Sequence, residues 1–193
     1  MAAVFNVRYD FGGTDNTPGT EQDTDGLGPP NVRFKTADDA TIDTNNPIPI
    51  PAAGTNYSFW KQIYLYCATA PDTQVDNIKF YTDGTGFGTG VTTNVGDELP
   101  VKSSTADTGY DVATGTIGTT GDVMTDHTDI TAVTDAFSFT SGSPKSITTS
   151  EAGSVIDAIG ETTNYLVLQM VVASTASPGD LSNETFTYQY DEI

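Results

Sequence analysis

Acidic side chains crowd one stretch near the start of the chain, where carboxylates could serve as ligands for a cation. Asp15, Glu21, Asp23 and Asp25 lie close together in a segment rich in glycine and threonine. Calcium takes about six to eight oxygen ligands, and closely spaced aspartates can supply several of them. These four residues are therefore our calcium candidates. The alternative is a solvated acidic loop, because the spacing lacks the glutamate that closes an EF-hand loop.

A second acidic group surrounds the only histidine of the chain. It consists of Asp122, Asp126, His127 and Asp129. A transition-metal site usually takes about three or four ligands that include histidine or cysteine. With one histidine and one cysteine in separate predicted strands, the sequence argues against such a site. We therefore expect no cofactor, and calcium is the one ion that we consider as an alternative.

Catalytic residues are scarce in this sequence. A nucleophile needs an adjacent base, and His127 is the one ordinary candidate. Cys67 lies in a strand pattern and is better explained as a small buried residue than as half of a Cys67–His127 dyad. Among 26 acidic residues some pair always lies close, so carboxylate pairs do not indicate a glycosidase. We expect no enzyme activity.

The central stretch of the chain carries aromatic residues that share one face of a predicted strand. Trp60, Tyr64 and Tyr66 could stack on sugar rings, but the same pattern is more often a core or a subunit interface. Ile48 and Ile50 alternate with prolines in a neighbouring segment. We predict that these five residues contribute to an interface.

The elements that carry these residues are predicted to be strands. Residues 57–68 alternate with a period of two, and residues 75–82 form a second strand after a Pro-Asp turn. We predict that the two pair as an antiparallel hairpin. Residues 164–174 are apolar throughout, which indicates a strand buried on both faces. We predict that residues 184–190 pair with it as a closing hairpin.

The first part of the chain is predicted to be more irregular. Residues 4–11 form a strand, residues 12–30 a long polar loop and residues 31–37 a short strand. The alternating prolines of residues 47–51 suit a surface strap, because proline cannot sit inside a sheet. We describe residues 1–51 as an extended strand and loop arm, and as our candidate for an attaching surface.

Together these elements predict an all-β antiparallel sandwich, of immunoglobulin-like or jelly-roll type, with about eight to ten strands. Residues 151–159, capped by Ser150 and ended by Gly160, are predicted to be one short connecting helix. With no clear boundary along the chain, we expect a single domain over residues 1–193.

The charge of the chain limits its partners. Its net charge is −19, and its 7 basic residues are scattered rather than clustered. Nucleic acid and anionic membranes are therefore poor partners, because phosphate binding needs a positive patch. No apolar run approaches the roughly 20 residues of a membrane span, and no signal-peptide pattern begins the sequence. We expect folding in a cytoplasm.

Two segments, NYSFWKQIYLYCATAPDTQVDNIKFYTDG and NYLVLQMVVASTASPGDLSNETFTYQYDEI, give the chain a family resemblance. It resembles virion structural proteins of tailed bacterial and archaeal viruses, in particular capsid decoration (cement) and head-fibre β-sandwich domains. The resemblance covers about half of the chain and carries over no binding residues.

The resemblance implies a non-enzymatic virion protein that assembles in the host cytoplasm. Such proteins bind the major capsid protein, often as oligomers, including trimers, around a symmetry axis. The alternative is a carbohydrate-binding or adhesive sandwich stabilised by calcium, which predicts an exposed Trp60.

Overall fold

The computed structural model of the chain describes residues 2–24, 32–41, 44–98, 102–113, 115–116, 120–121 and 123–193. In these residues a seven-stranded and a three-stranded antiparallel sheet share one hydrophobic core. The predicted all-β sandwich is thereby confirmed. The helical segments in this part of the chain are short 3-10 turns, and none has the length and apolar character to cross a bilayer.

Twelve strands are present in the described residues. They are β1 (Val4–Thr14), β2 (Thr17–Asp23), β3 (Thr55–Tyr57), β4 (Lys61–Thr69), β5 (Val75–Tyr81), β6 (Val91–Glu98), β7 (Gly115–Thr116), β8 (Thr120–Gly121), β9 (Ile130–Asp135), β10 (Lys145–Ser146), β11 (Leu166–Ala173) and β12 (Thr187–Glu192). The large sheet has the order β2-β1-β4-β11-β6-β9, with β3 also paired to β11. The small sheet has the order β10-β5-β12, and β7 pairs with β8.

The large sheet is buried on both faces. Alternate residues such as Leu65 and Leu168 face the small sheet, where they meet Val75 and Phe80. The opposite face is covered by residues of the 102–130 region and carries a second cluster of buried residues: Phe59, Trp60, Tyr64, Tyr110, Ala113, Met124, Ile130, Tyr165 and Val167. The prediction that β11 is buried on both faces is confirmed.

The two predicted hairpins are wrong. Strands β4 and β5 lie in different sheets, and so do β11 and β12. The segment between β4 and β5 crosses from the large sheet to the small one, and β12 pairs with β5 instead of β11. Each of these strands still turns its apolar residues to the common core, which is why its alternation suggested a hairpin.

The N-terminal region is more regular than predicted. Part of the expected 12–30 loop is a hairpin, in which β1 pairs with β2 around a turn at Asn16. Asn16 has φ +61°, a left-handed conformation that asparagine tolerates well. Strand β1 also pairs with β4, so residues 4–23 belong to the sheet and do not form a separate arm.

The predicted connecting helix over residues 151–159 is also wrong. Only Ala152–Ser154 form a 3-10 turn, and Gly153 and Ser154 have positive φ values that end it. The Glu151 carboxylate is engaged by the backbone N–H groups of Ser104 and Thr162. These contacts between distant segments hold the backbone out of an α-helix.

The predicted strand over residues 31–37 has no strand pairing in its described part. It packs on the large sheet beside two buried lysines, Lys35 of the segment itself and Lys61 of β4. Lys35 Nζ lies 2.6 Å from Asp39 Oδ1. Lys61 Nζ donates to the Tyr9 hydroxyl over 2.9 Å, and that hydroxyl donates to Asp38 Oδ1 over 3.2 Å. We call these five residues the lysine cluster; it anchors the irregular segment to β1 and β4.

Candidate functional site

A group of three potential metal ligands lies on the outer face of the large sheet. One ligand atom each of Asp111, His127 and Asp129 lies within 4.8 Å of the other two. His127 Nε2 is 2.9 Å from Asp111 Oδ2. We call these residues, together with the neighbouring Glu98 and Asp15, the Asp/His cluster.

The backbone around the cluster is held by two buried glutamines. The Gln62 side chain exchanges hydrogen bonds with the Asp111 backbone, accepting from its N–H over 3.2 Å and donating to its carbonyl. The Gln169 side chain accepts from the Met124 N–H over 2.9 Å. Met124 begins the 3-10 turn Met124–Asp126, and His127 directly follows it. The described residues of 102–130, which cover the outer face of the large sheet, are called the covering segment. Strands β4 and β11 thereby hold this segment at Asp111 and at Met124.

His127 lies against the only tryptophan. The rings of Trp60 and His127 make an edge contact with centroids 4.8 Å apart. The Nδ1 atom of His127 is buried and has no hydrogen-bond partner. The imidazole is thus oriented by Asp111 through Nε2 and packed by the indole, while its second nitrogen has no hydrogen-bond partner.

Glu98 ends β6 and is the most unusual member of the cluster. It is 2% exposed, and its carboxylate oxygens lack a close hydrogen-bond partner. The backbone N–H of Asp111, which donates to Gln62, lies near enough to Glu98 to lower its pKa slightly. Burial, followed by the negative charges of Asp111, Asp129 and Asp15, raises the pKa of Glu98 to about 9. Ionising this buried carboxyl group is costly, so it stays protonated unless a positive charge is bound beside it.

Asp15 reaches the cluster from the β1–β2 turn. Its carboxyl group is hydrogen-bonded to that of Asp111, and its Oδ1 accepts from the Val112 N–H over 3.2 Å. Burial and this contact with Asp15 raise the pKa of Asp111 to about 6, against the opposing effect of His127. Two carboxyl groups in contact must share a proton or a cation.

The calcium candidates from the sequence are not brought together. Asp15 lies at the turn, whereas Asp23 is about 20 Å further along β2, because a strand rises about 3.3 Å per residue. Glu21 accepts a hydrogen bond from the Tyr64 hydroxyl, and Asp25 lies outside the described residues. The structure instead combines Asp15 with members of the second acidic group.

From that second group, His127 and Asp129 belong to the cluster, while Asp126 is exposed beside it and Asp122 lies outside the described residues. Sequence reasoning missed Asp111 and Glu98. Neither is near the histidine in sequence, and only the folding of β6 against the covering segment brings them to it.

The predicted interface residues divide into a buried and an accessible set. Trp60 is 1% exposed and Tyr64 is also buried, so both are used inside the chain. Tyr66 is partly buried beneath the Arg8 guanidinium, which lies 3.3 Å from its ring centroid. Ile48 is partly exposed and Ile50 is exposed. Of the five, only these last three reach the surface.

Tyr64 belongs to a second buried polar group on the same face. Asp10 accepts hydrogen bonds from the hydroxyls of Tyr165 and Tyr64, and Lys102 Nζ lies 3.5 Å from its carboxylate. Burial raises the pKa of Asp10, and Lys102 opposes that shift. With its charge balanced and its oxygens satisfied, this group is structural.

The sequence also raised a Cys67–His127 dyad. Cys67 is completely buried in the core between the sheets, whereas His127 packs on Trp60 at the opposite face. Burial raises the pKa of the Cys67 thiol, which makes the thiolate harder to form. The large sheet separates the two residues and they cannot act together.

Comparison of the chain with protein-family models, curated proteins and solved structures finds no match.

Proposed function

We propose that this chain is a non-enzymatic structural protein that binds and stabilises the shell of a virion, as a capsid decoration protein does. The observation that supports it is an apolar end on an otherwise acidic molecule. Three of the five large hydrophobic side chains that are exposed among the described residues, Val4, Ile159 and Ile193, lie at the same end of the sandwich.

The pairing of the strands places these residues together. Val4 pairs with Thr69 at the end of β4. Ile159 comes just before Gly160, whose N–H donates to the Cys67 carbonyl near the same end of β4. The N–H of Ile193 donates to Gln74, next to the start of β5. We call this surface the apolar end.

The negative charge of the molecule indicates that a partner with a basic surface would suit it. With a net charge of −19, the chain repels acidic proteins and is attracted to surfaces that carry lysine and arginine. Acidic residues such as Glu161 and Glu192 flank the apolar end in sequence. A shell protein with an apolar patch inside a basic rim would complement it, and oligomers around a symmetry axis would multiply the contact.

The carbohydrate-binding alternative loses its main support, because it requires an exposed Trp60 and the indole is buried. A hydrolase that uses Cys67 and His127 is disfavoured by their separation. Shell binding requires neither an exposed aromatic platform nor a catalytic pair, so the buried aromatic residues and the apolar end fit it best.

Binding to particles from the source culture tests the proposal. Particles stripped of the chain are mixed with labelled wild-type protein, with Ile159→Asp or with Leu181→Asp, and then pelleted. Leu181 is the matched control: it is also an exposed aliphatic residue, at 38% against 66% for Ile159, and it lies in the β11–β12 connection at the opposite end.

We expect the wild type and Leu181→Asp to pellet with the particles and Ile159→Asp to remain in solution. Equal binding of all three proteins would show that the apolar end is not the docking surface. If the wild type itself fails to bind, the shell-binding function is refuted.

A further inference from the structure

We infer that the Asp/His cluster binds a divalent transition ion of the Zn²⁺ or Mn²⁺ class, with Asp111, His127 and Asp129 as ligands and Glu98 as the adjacent carboxylate. The inference is independent of the shell-binding proposal. It rests on the geometry of the three ligands and on the unsatisfied atoms that surround them.

The first argument is charge. Four carboxyl groups, those of Asp15, Glu98, Asp111 and Asp129, surround one imidazole, and His127 provides the only ion pair to this group among the described residues. Exposed carboxylates would be compensated by water, but Glu98 is buried and its oxygens lack a close hydrogen-bond partner. A bound cation would satisfy these atoms.

The second argument is geometry. Around a tetrahedral zinc ion with bonds of about 2.1 Å, donor atoms lie about 3.4 Å apart. The Asp111–His127 distance is 2.9 Å, and all three donor atoms lie within 4.8 Å of one another. Small side-chain rotations therefore suffice to form the site. Nδ1 of His127, which is buried without a partner, is a second nitrogen that could ligate.

The ligand types select the ion. Calcium and magnesium prefer oxygen ligands alone, whereas an imidazole suits zinc and several other transition ions, and carboxylates also suit manganese. One imidazole with two or three carboxylates is thus a mixed nitrogen and oxygen set. This composition distinguishes the site from the calcium site that the sequence suggested.

The site would join three separate parts of the chain. Glu98 ends β6, Asp111 lies in the segment that covers the outer face, and His127 and Asp129 lie between the 3-10 turn and β9. An ion at this position would fasten the covering segment to the large sheet over Trp60. Its role is therefore structural stabilisation.

Trp60 provides a direct readout, because it is the only tryptophan and its ring touches His127. The full chain is treated with EDTA, dialysed, and titrated separately with Zn²⁺, Mn²⁺ and Ca²⁺ while Trp60 fluorescence and the thermal midpoint are recorded. We expect saturable changes in both with Zn²⁺ or Mn²⁺, and an apparent affinity for Ca²⁺ lower by about tenfold or more.

The variants separate a built site from binding to an acidic surface. His127→Ala and Asp129→Asn should weaken the apparent affinity by about tenfold or more. Asp129 is exposed, so the second variant should fold normally. Asp126→Asn is the matched control, because Asp126 is a neighbouring exposed acid outside the cluster, and it should bind like the wild type.

Glu98→Gln adds a test that compares the protein with and without metal. Without metal, the neutral amide replaces a buried carboxyl group of the same shape, so the thermal midpoint should change little. With metal, the rise in thermal midpoint caused by the ion should be smaller in Glu98→Gln than in the wild type. Any of three results would overturn the inference. No ion gives a saturable change in Trp60 fluorescence or in the thermal midpoint, His127→Ala binds the ion as tightly as Asp126→Asn does, or the affinity for Ca²⁺ equals the affinities for Zn²⁺ and Mn²⁺.

Discussion

Replacing Lys61 by methionine should change how the stability of the protein depends on pH. Lys61 is completely buried in the lysine cluster, with its ammonium group 2.9 Å from the Tyr9 hydroxyl. Burial lowers the pKa of Lys61 to about 8, and the neighbouring charges of Asp38 and Asp39 only partly oppose this effect. Methionine has a similar length and carries no charge.

The magnitude follows from the difference between the folded and the unfolded state. The unfolded chain keeps a proton on Lys61 up to a pKa of about 10.5, whereas the folded chain releases it near 8. Between these values the unfolded state binds more protons, so the Lys61 contribution to the free energy of unfolding rises with pH. The full change is about 3 kcal/mol.

Urea titrations from pH 7 to 10.5, followed by Trp60 fluorescence, measure this contribution as the difference between the wild type and Lys61→Met. Ionisation of tyrosines and of Cys67 affects both proteins alike and cancels in the difference. We expect the difference in unfolding free energy to move in favour of the wild type by about 3 kcal/mol over this range. A constant difference would refute the account, because it would mean that burial does not change the Lys61 pKa.

Three further predictions concern packing and accessibility. Asp10→Ala should lower the free energy of unfolding by about 3 kcal/mol, because it leaves buried tyrosine hydroxyls and a lysine without their acceptor; Asp10→Asn, measured in the same urea titration, should cost clearly less. Gly54→Ala should cost about 1–2 kcal/mol, because φ is +74° there. Gly90→Ala, at φ +77°, should cost more than Gly54→Ala, because the new Cβ would clash with the backbone nitrogen of Ala176. Equal urea midpoints for the two variants would contradict this predicted clash. Cys67 should react with a thiol reagent only after the protein unfolds. The fluorescence of Trp60 should resist quenching by acrylamide and should not change when polysaccharide is added. Rapid reaction of Cys67 or strong quenching of Trp60 in the native protein would contradict their burial.

The sequence was sufficient to predict the class of fold but not the pairing of its strands. The alternation of β4 and the continuous apolar run of β11 indicated buried strands, and both strands are buried. A period of two specifies a face and leaves the partner strand open. The pattern therefore predicts a hairpin turn between β4 and β5, although this segment connects two sheets.

The wrong prediction of a helix over residues 151–159 has a similar explanation. Its local signals, a serine cap and a final glycine, were present, but the Glu151 carboxylate is bound by residues distant in sequence. Ile156 also pairs with Val75 in an extended conformation. Tertiary contacts of this kind override weak local preferences over a short segment.

Of the five residues of the Asp/His cluster, the sequence grouped His127 with Asp129, assigned Asp15 to the calcium candidates and gave no signal for Asp111 or Glu98. His127 and Asp129 could be grouped because they are two positions apart in the chain. Glu98 lies on the face of β6 opposite Val95, which faces the core between the sheets, so a strand pattern assigns it to solvent. It is buried only because the covering segment packs over that face.

Sedimentation of source material through a density gradient tests the central claim, that this chain binds a virion shell. Peptide mass spectrometry of each fraction would locate the chain and a more abundant shell protein. The account predicts that both travel with large particles in a fixed ratio, which would also indicate the symmetry axis. If the chain stays at the top of the gradient as free protein while particles sediment without it, the claim is contradicted.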